Sequence, residues 1–292
     1  MPLASNIAEF YTRPGRMTDV GALDALLSAS PRDIPGMVAF IQNLLLHVHW
    51  AERYGVTLSP GRRNEQNVRS TADMLALMQR HDGRPLQETR LAEQRAVGTC
   101  RNFSVFGTAL FRRAGIPARA RVGFGAYFNK GTFEDHWVIE YWNGTGWQLL
   151  DAQIDDKQRG ILQLNFDTRN VPRNQFIIAG DAWQRCRSGA ADPKAFGIFD
   201  LRGLWFIAGN VVRDFAALNN EEMLPWDVWG PMIMSDDLLT PEKLVLFDKL
   251  AELALGADKH FAKIRALYAK DESVRVPAQV FNVERKRSEP AR

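Results

Sequence analysis

One cysteine, one histidine and one aspartate of this chain are of the types, and at the spacing, that thiol-based acyl chemistry requires. Cys100 follows Gly98-Thr99 and heads the apolar run "CRNFSVFGTALFRRAG". Phe103, Phe106, Ala109, Leu110 and Ala114 recur at helical spacing, and Val105 and Phe111 widen the stripe, so the run predicts a mostly buried helix. Gly115 suits the left-handed position just past a helix end, and Pro117 forbids continuation. Cys100 is thereby expected at a helix N-terminus. There the unpaired amides and the positive end of the dipole favour a thiolate over a thiol.

The partners are expected on "DHWVIEYWNGTGWQLLDAQ", two apolar runs around a Gly-Asn-rich turn, which reads as a hairpin. With the turn at Asn143-Gly144-Thr145-Gly146 and Trp142 facing Trp147, paired positions sum to 289. His136 then falls opposite Gln153, and Asp151 lies diagonal to His136 on the same face, ~7–8 Å away at the backbone. A bulge or a three-residue loop would reverse that parity. The chemistry needs this set of parts: a thiolate attacks a carbonyl, imidazole exchanges the proton, and a carboxylate holds the imidazole's tautomer and favours its charged form. The spacing is compatible with contact between Cys100 and His136. The preceding run "ARARVGFGAYF" alternates with period two, a strand with Ala118, Ala120, Val122 and Phe124 on one face and Arg119 and Arg121 on the other.

In this order "GTCRNFSVFGTALFRRAGIPARARVGF" and "DHWVIEYWNGTGWQLLDAQ" resemble the core of the transglutaminase-like superfamily of papain-type folds. The elements that carry the likeness are Gly-x-Cys at a helix start, Gly-Ile-Pro-Ala-Arg before a strand, a His-x-Trp-type strand start, and a Gly-Trp-x-x-x-Asp strand. They cover residues 90–155. The resemblance implies an α+β, papain-like core in which the Cys100 helix packs on an antiparallel sheet. It implies Cys100 as nucleophile, His136 as base and Asp151 as orienting acid. Asn102 and Ser104 depart from the acidic residue and alanine that family members often carry, and Ala152 from the proline that often follows the Asp. None of these removes a catalytic group.

Tetrahedral intermediates also need preset donors. The Cys100 N–H is one. Gln94 is a candidate second donor through its side-chain amide, as in papain-like proteases, with Trp50 the rival, since some transglutaminases use an indole. Arg119 and Arg121 read either as a solvated strand edge or as the seat of a substrate carboxylate, and Trp137 as part of an aromatic substrate wall. The implied reaction is thiol-dependent acyl chemistry on an amide, with a peptide or small amide as substrate. Hydrolysis ranks first, transamidation to an amine second, and an idle binding scaffold third.

The elements around this core divide the chain of 292 residues into a helical region (1–85), the catalytic core (86–160), a C-terminal helical region (161–273) and a loose tail (274–292). "PGMVAFIQNLLLHVHWAERYG" predicts one helix ended by Gly55, Ser70 a cap for the helix that follows, and "LWFIAGNVVRDFAALNN", "PEKLVLFDKLAELALG" and "DKHFAKIRALYAK" three more. A net charge of +3, from 37 basic and 34 acidic residues, gives no argument for a nucleic-acid partner. No run approaches the ~18 apolar residues that span a bilayer, and the start lacks the apolar core of a signal peptide. The protein is expected to be soluble and cytoplasmic, so the sequons at Asn102 and Asn143 are expected to be chance matches. Two cysteines make no disulfide framework, and Cys186 in "DAWQRCRSG" reads as structural. His47 and His49, two apart on the expected helix, would face apart, and His81 and His260 are isolated, so no metal is expected. No GxGxxG or phosphate-binding loop is present, and no cofactor is implied. Oligomeric state is not legible.

Overall fold

The computed structural model describes residues 2–291. They form two compact units, each assembled from two stretches of chain: 2–119 with Val138–Asn170, and Ala120–Trp137 with 171–291. The expected cuts at 85/86 and 160/161 are therefore replaced by an interleaved division. Two of its boundaries fall inside strands, which no change of composition marks.

The first unit contains α1 (Ser5–Thr12), α2 (Ile34–Leu44), β1 (Leu45–His47), α3 (Pro60–Asn64), α4 (Thr71–His81), β2 (Ala96–Gly98) and α5 (Cys100–Arg113). The start of β3 (Ala118–Gly125), the end of β4 (Phe133–Trp142), then β5 (Trp147–Leu150) and α6 (Asp156–Leu162) complete it. Ser70 accepts from Asp73 N at 3.0 Å and starts α4 as its sequence predicts. Helix α5 begins at Cys100, and Gly115 beyond its end has φ +79°. It is buried along almost its whole length, with Phe106 stacked on Phe40 of α2 at 6.3 Å between centroids. Ile139 of β4 packs against α5 at Gly107. The architecture is thus α+β, with the cysteine helix lying on antiparallel strands.

The hairpin has the expected register. Strands β4 and β5 pair Trp142 with Trp147 and Ile139 with Leu150. Asn143 shapes the turn, its Oδ1 accepting from Thr145 N and Gly146 N at 2.9 Å each. The long helix expected through residue 54 stops ten residues earlier. Leu45–His47 instead form a buried strand parallel to β2, with Leu45 opposite Ala96 and His47 opposite Gly98. A short apolar run such as "LLLHV" is equally compatible with a buried strand and a helix, and its pairing with β2 decides.

In the second unit the rest of β3 and the start of β4 lie in the strand order β6-β3-β4-β7-β8, where β6 is Phe176–Ile178, β7 is Phe196–Ile198 and β8 is Leu201–Arg202. Around them stand α7 (Ala179–Arg187), α8 (Leu204–Ala217), α9 (Pro241–Leu255) and α10 (Phe261–Lys270). Helices α7, α8 and α9 pack on one another. The expected loose tail is ordered structure. Strands β10 (Gln279–Asn282) and β11 (Arg287–Pro290) form a hairpin, and β10 pairs with β9 (Asp227–Val228). Val274, Val276 and Val280 are buried. Four-residue strands carry too few apolar positions for a pattern to stand out, which is why the sequence hides them. Among the described residues no helix is long and apolar enough to cross a membrane.

Candidate active site

Cys100 is the first residue of α5, held by a turn that its neighbours fix. Thr99 caps the helix in an extended conformation. Buried Asn102 reaches back, its Oδ1 accepting from Thr99 N at 2.9 Å and from the Thr99 hydroxyl at 3.2 Å. Its Nδ2 donates to Val68 O at 3.0 Å. Gly98 lies so close beneath that a Cβ there would stand 2.7 Å from Asn102 Cβ. Asn102, one of the departures from the family pattern, thus locks the turn that carries Cys100, with its side chain buried and hydrogen-bonded.

Parallel β1 and β2 send their chains out at the same end of the pair, since Val48 N donates to Gly98 O at 2.9 Å. Residues 48–50 therefore leave the sheet at the end where Cys100 begins α5. The His47 ring lies 6.4 Å from that of Phe103 in the first turn of α5. Gln94, the other donor candidate, is turned to local use: its Oε1 accepts from Leu91 N at 2.9 Å and closes the short 3-10 turn Ala92–Gln94.

Asp151 directly follows β5 and is buried. Its N–H donates to Thr168 O at 2.8 Å, and its Oδ1 accepts from Gln153 N at 3.0 Å. The ladder of β5 ends at Leu150, so the expected register does not extend as a strand to Gln153. Asp151 is placed by a side-chain-capped turn rather than by a diagonal strand position.

His136 belongs to the second unit, on β4, and is buried among rings. Phe128 meets it edge to face at 4.8 Å between centroids, with Tyr127 at 5.8 Å and Phe176 at 6.3 Å. Sequence reading missed these three aromatics. The "YF" closing the "ARARVGFGAYF" run signalled only Tyr127 and Phe128, and Phe176 carried no local signal. On the other face of the strand, burial pushes the Asp135 carboxyl upward, opposed by Arg213 and by Asn210, whose Nδ2 donates to it at 2.7 Å.

Three expectations about the substrate need correction. Trp137 alternates to the strand face opposite His136 and is only 1% exposed, so it is core rather than substrate wall. Arg119 and Arg121 are 3% and 2% exposed, neither a solvated edge nor open to a ligand. The Arg119 Nε donates to Glu140 at 2.8 Å, and its guanidinium lies 3.9 Å from the Trp147 ring centre. Arg121 forks onto Asp214 through Nε at 2.9 Å and Nη2 at 2.8 Å. Each cation already has its own carboxylate.

Cys186 is buried on α7, and burial with nearby Asp192 pushes its thiol up to about 11. The argument that His47 and His49 face apart fails with the helix it assumed. Their rings lie 5.6 Å apart, and His47 Nδ1 accepts from His49 N at 3.3 Å. Among the described residues no group of three or more His, Cys, Asp or Glu is arranged to hold a metal ion.

Comparison with known proteins adds a family to this geometry. Residues 60–152 match the family model of the transglutaminase-like superfamily. No curated protein matches the chain. Among solved structures, one described as a "Putative Cysteine Protease from Cytophaga hutchinsonii" is 22% identical, with a TM-score of 0.35, over 62% of this chain and 50% of that one. Red sea bream transglutaminase is 16% identical, with a TM-score of 0.29, over 56% of this chain and 30% of that one. The chain therefore spans half or less of the length of either protein. Cys100, His136 and Asp151 all lie within residues 60–152, the stretch that matches the transglutaminase-like superfamily model.

Proposed function

We propose that this protein cleaves an amide bond by thiol chemistry, with Cys100 as nucleophile, His136 as base and Asp151 as the acid that orients it. The observation that carries the reading is Cys100 at the first position of the 14-residue helix α5, inside the segment that matches the family. At that position the helix dipole and free amides stabilise negative charge on sulfur and then on the substrate oxygen.

The thiolate adds to the amide carbon, and the Cys100 N–H donates to the oxyanion. The imidazolium of His136 gives its proton to the departing nitrogen as the C–N bond breaks, leaving a thioester on Cys100. Water, deprotonated by His136, then displaces the sulfur and releases the acid. Asp151 keeps the ring in the tautomer both steps need. The substrate is a peptide or a small amide. Both cysteines are free, which fits a reducing compartment such as the cytoplasm.

Hydrolysis ranks above transamidation because water needs no acceptor site. The buried pairing of Arg119 and Arg121 withdraws the idea that they hold a substrate carboxylate. The deciding experiment is mass analysis of an amide-bearing peptide treated with the protein and excess primary amine. Acid as the main product supports a hydrolase, an amine adduct as the main product makes the protein a transferase, and no turnover with unlabelled Cys100 leaves a scaffold.

A further inference from the structure

Between α2 and the Asp151 turn lies a set of buried and partly buried hydrogen bonds that the proposed reaction does not itself use. The Gln42 Nε2 donates to Ala152 O at 3.3 Å and to Ile154 O at 3.1 Å. These are the carbonyls flanking Gln153, and the Gln153 N–H is the donor to Asp151 Oδ1. The Gln153 side chain is fixed from the other side. Its Nε2 donates to Gln158 Oε1 at 3.1 Å, the Gln158 Nε2 donates to the Tyr54 hydroxyl at 3.2 Å, and that hydroxyl donates to Asp155 Oδ2 at 2.6 Å. Gln153 and Gln158 are 2% and 3% exposed.

We propose that Gln42 and Tyr54 are positioning residues for the triad acid, clamping Gln153 from its backbone and its side chain so that its amide fixes the Asp151 carboxylate. This rests on the reading of Asp151 as the orienting acid. The peptides on either side of Gln153 cannot rotate without stripping the Gln42 bonds from buried carbonyls, a loss that burial makes costly. The same stretch of α2 seats the nucleophile, because Phe40 stacks on Phe106 and Ile41 lies beside Gly107. Residues 40–42 thus set where α5 sits and where the Asp151 turn sits. A helix needing only to cover that turn has no use for a carboxamide at position 42, since an apolar side chain would cover it equally well.

The test compares Gln42→Met, which keeps length but loses both N–H groups, with Tyr54→Phe, which loses one hydroxyl and leaves α2 untouched. Amide hydrolysis and the pH dependence of Cys100 alkylation are measured beside Asp151→Asn. In Gln42→Met, kcat should fall about 10- to 100-fold with KM nearly unchanged, the loss expected of a misplaced catalytic group. The acidic limb of the alkylation profile should move to higher pH, because a poorly held carboxylate stabilises the imidazolium–thiolate pair less. Tyr54→Phe should move both in the same direction by less, and it decides the matter alone if the Met variant does not fold. Wild-type kcat and an unmoved profile in the folded variants, with Asp151→Asn impaired, would overturn the clamp. If Asp151→Asn is itself unimpaired, the orienting role of Asp151 fails, and the clamp with it.

Discussion

Gly107 of α5 faces Ile139 of β4 so closely that a Cβ at position 107 would stand 2.3 Å from Ile139 Cδ1 and 3.1 Å from Ile41 Cδ1. A glycine inside a helix is normally a loss of about 1 kcal/mol against alanine. Here it lets the cysteine helix approach the strand. Gly107→Ala should therefore lower stability by about 1–3 kcal/mol through overpacking, and Ile139→Val, which deletes the offending Cδ1, should restore part of it. Urea unfolding of the two single variants and the double variant measures this. An alanine variant as stable as wild type would mean that Ile139 has room to move.

Cys100 and Cys186 should separate by their response to a thiol probe at neutral pH. The Cys186 thiol is raised to about 11, so its neutral form is favoured in the fold. That preference is fully present below the ordinary thiol value of about 8.5 and is lost as pH rises through about 11. Native Cys186 should stay unlabelled until strongly alkaline conditions. Labelling at neutral pH should fall on Cys100, vanish in Cys100→Ala, and slow in His136→Ala. Cys100→Ala should keep the wild-type circular dichroism. Peptide mapping that finds Cys186 labelled first would defeat the assignment of the nucleophile.

Asp151→Asn is expected to keep the turn, because an amide oxygen accepts from Gln153 N as a carboxylate does. It should nonetheless favour the wrong imidazole tautomer and lower the rate by about 10⁴, the loss seen in the serine-protease analogue. A folded variant with wild-type turnover would reduce Asp151 to a turn former.

Asp214 is fully buried and accepts two bonds from Arg121 and a third from Val122 N at 2.9 Å. Asp214→Ala would strand a buried guanidinium and should cost about 3–5 kcal/mol. Replacing both partners with apolar residues should recover much of that. Chemical denaturation of the single and double variants distinguishes a structural ion pair from a site awaiting substrate, for which stability would hardly change.

Legibility in the sequence followed the length of each element and the directness of its signal. Helix α5 was readable because its apolar stripe, Gly115 and Pro117 all agree. The hairpin register was readable because a single turn motif sets it. The arginines of β3 were misread because alternation marks two faces and does not say whether the second is also covered; all eight residues of β3 are buried. The hold on Asp151 was invisible, since it depends on Gln42, 109 positions earlier, and on a turn that leaves the ladder after Leu150. Likewise Asn102 read as a departure from a pattern, while its role comes from Val68, which local spacing does not bring near.

The interleaving of the two units has a consequence for how the chain is made and inherited. The backbone passes from one to the other after Arg119, Trp137 and Asn170, twice in the middle of a strand. No flexible tether exists at those two crossings, so a protease has no natural place there to release an intact half. During synthesis α5 is complete well before Ile139 is added, and its apolar face must wait for strands still to come, the kind of long-range closure that slows folding. No single cut in the gene would deliver both units whole. A crossover anywhere between residues 100 and 139 would part Cys100 from Ile139, the strand residue against which its helix is packed, although both belong to one unit.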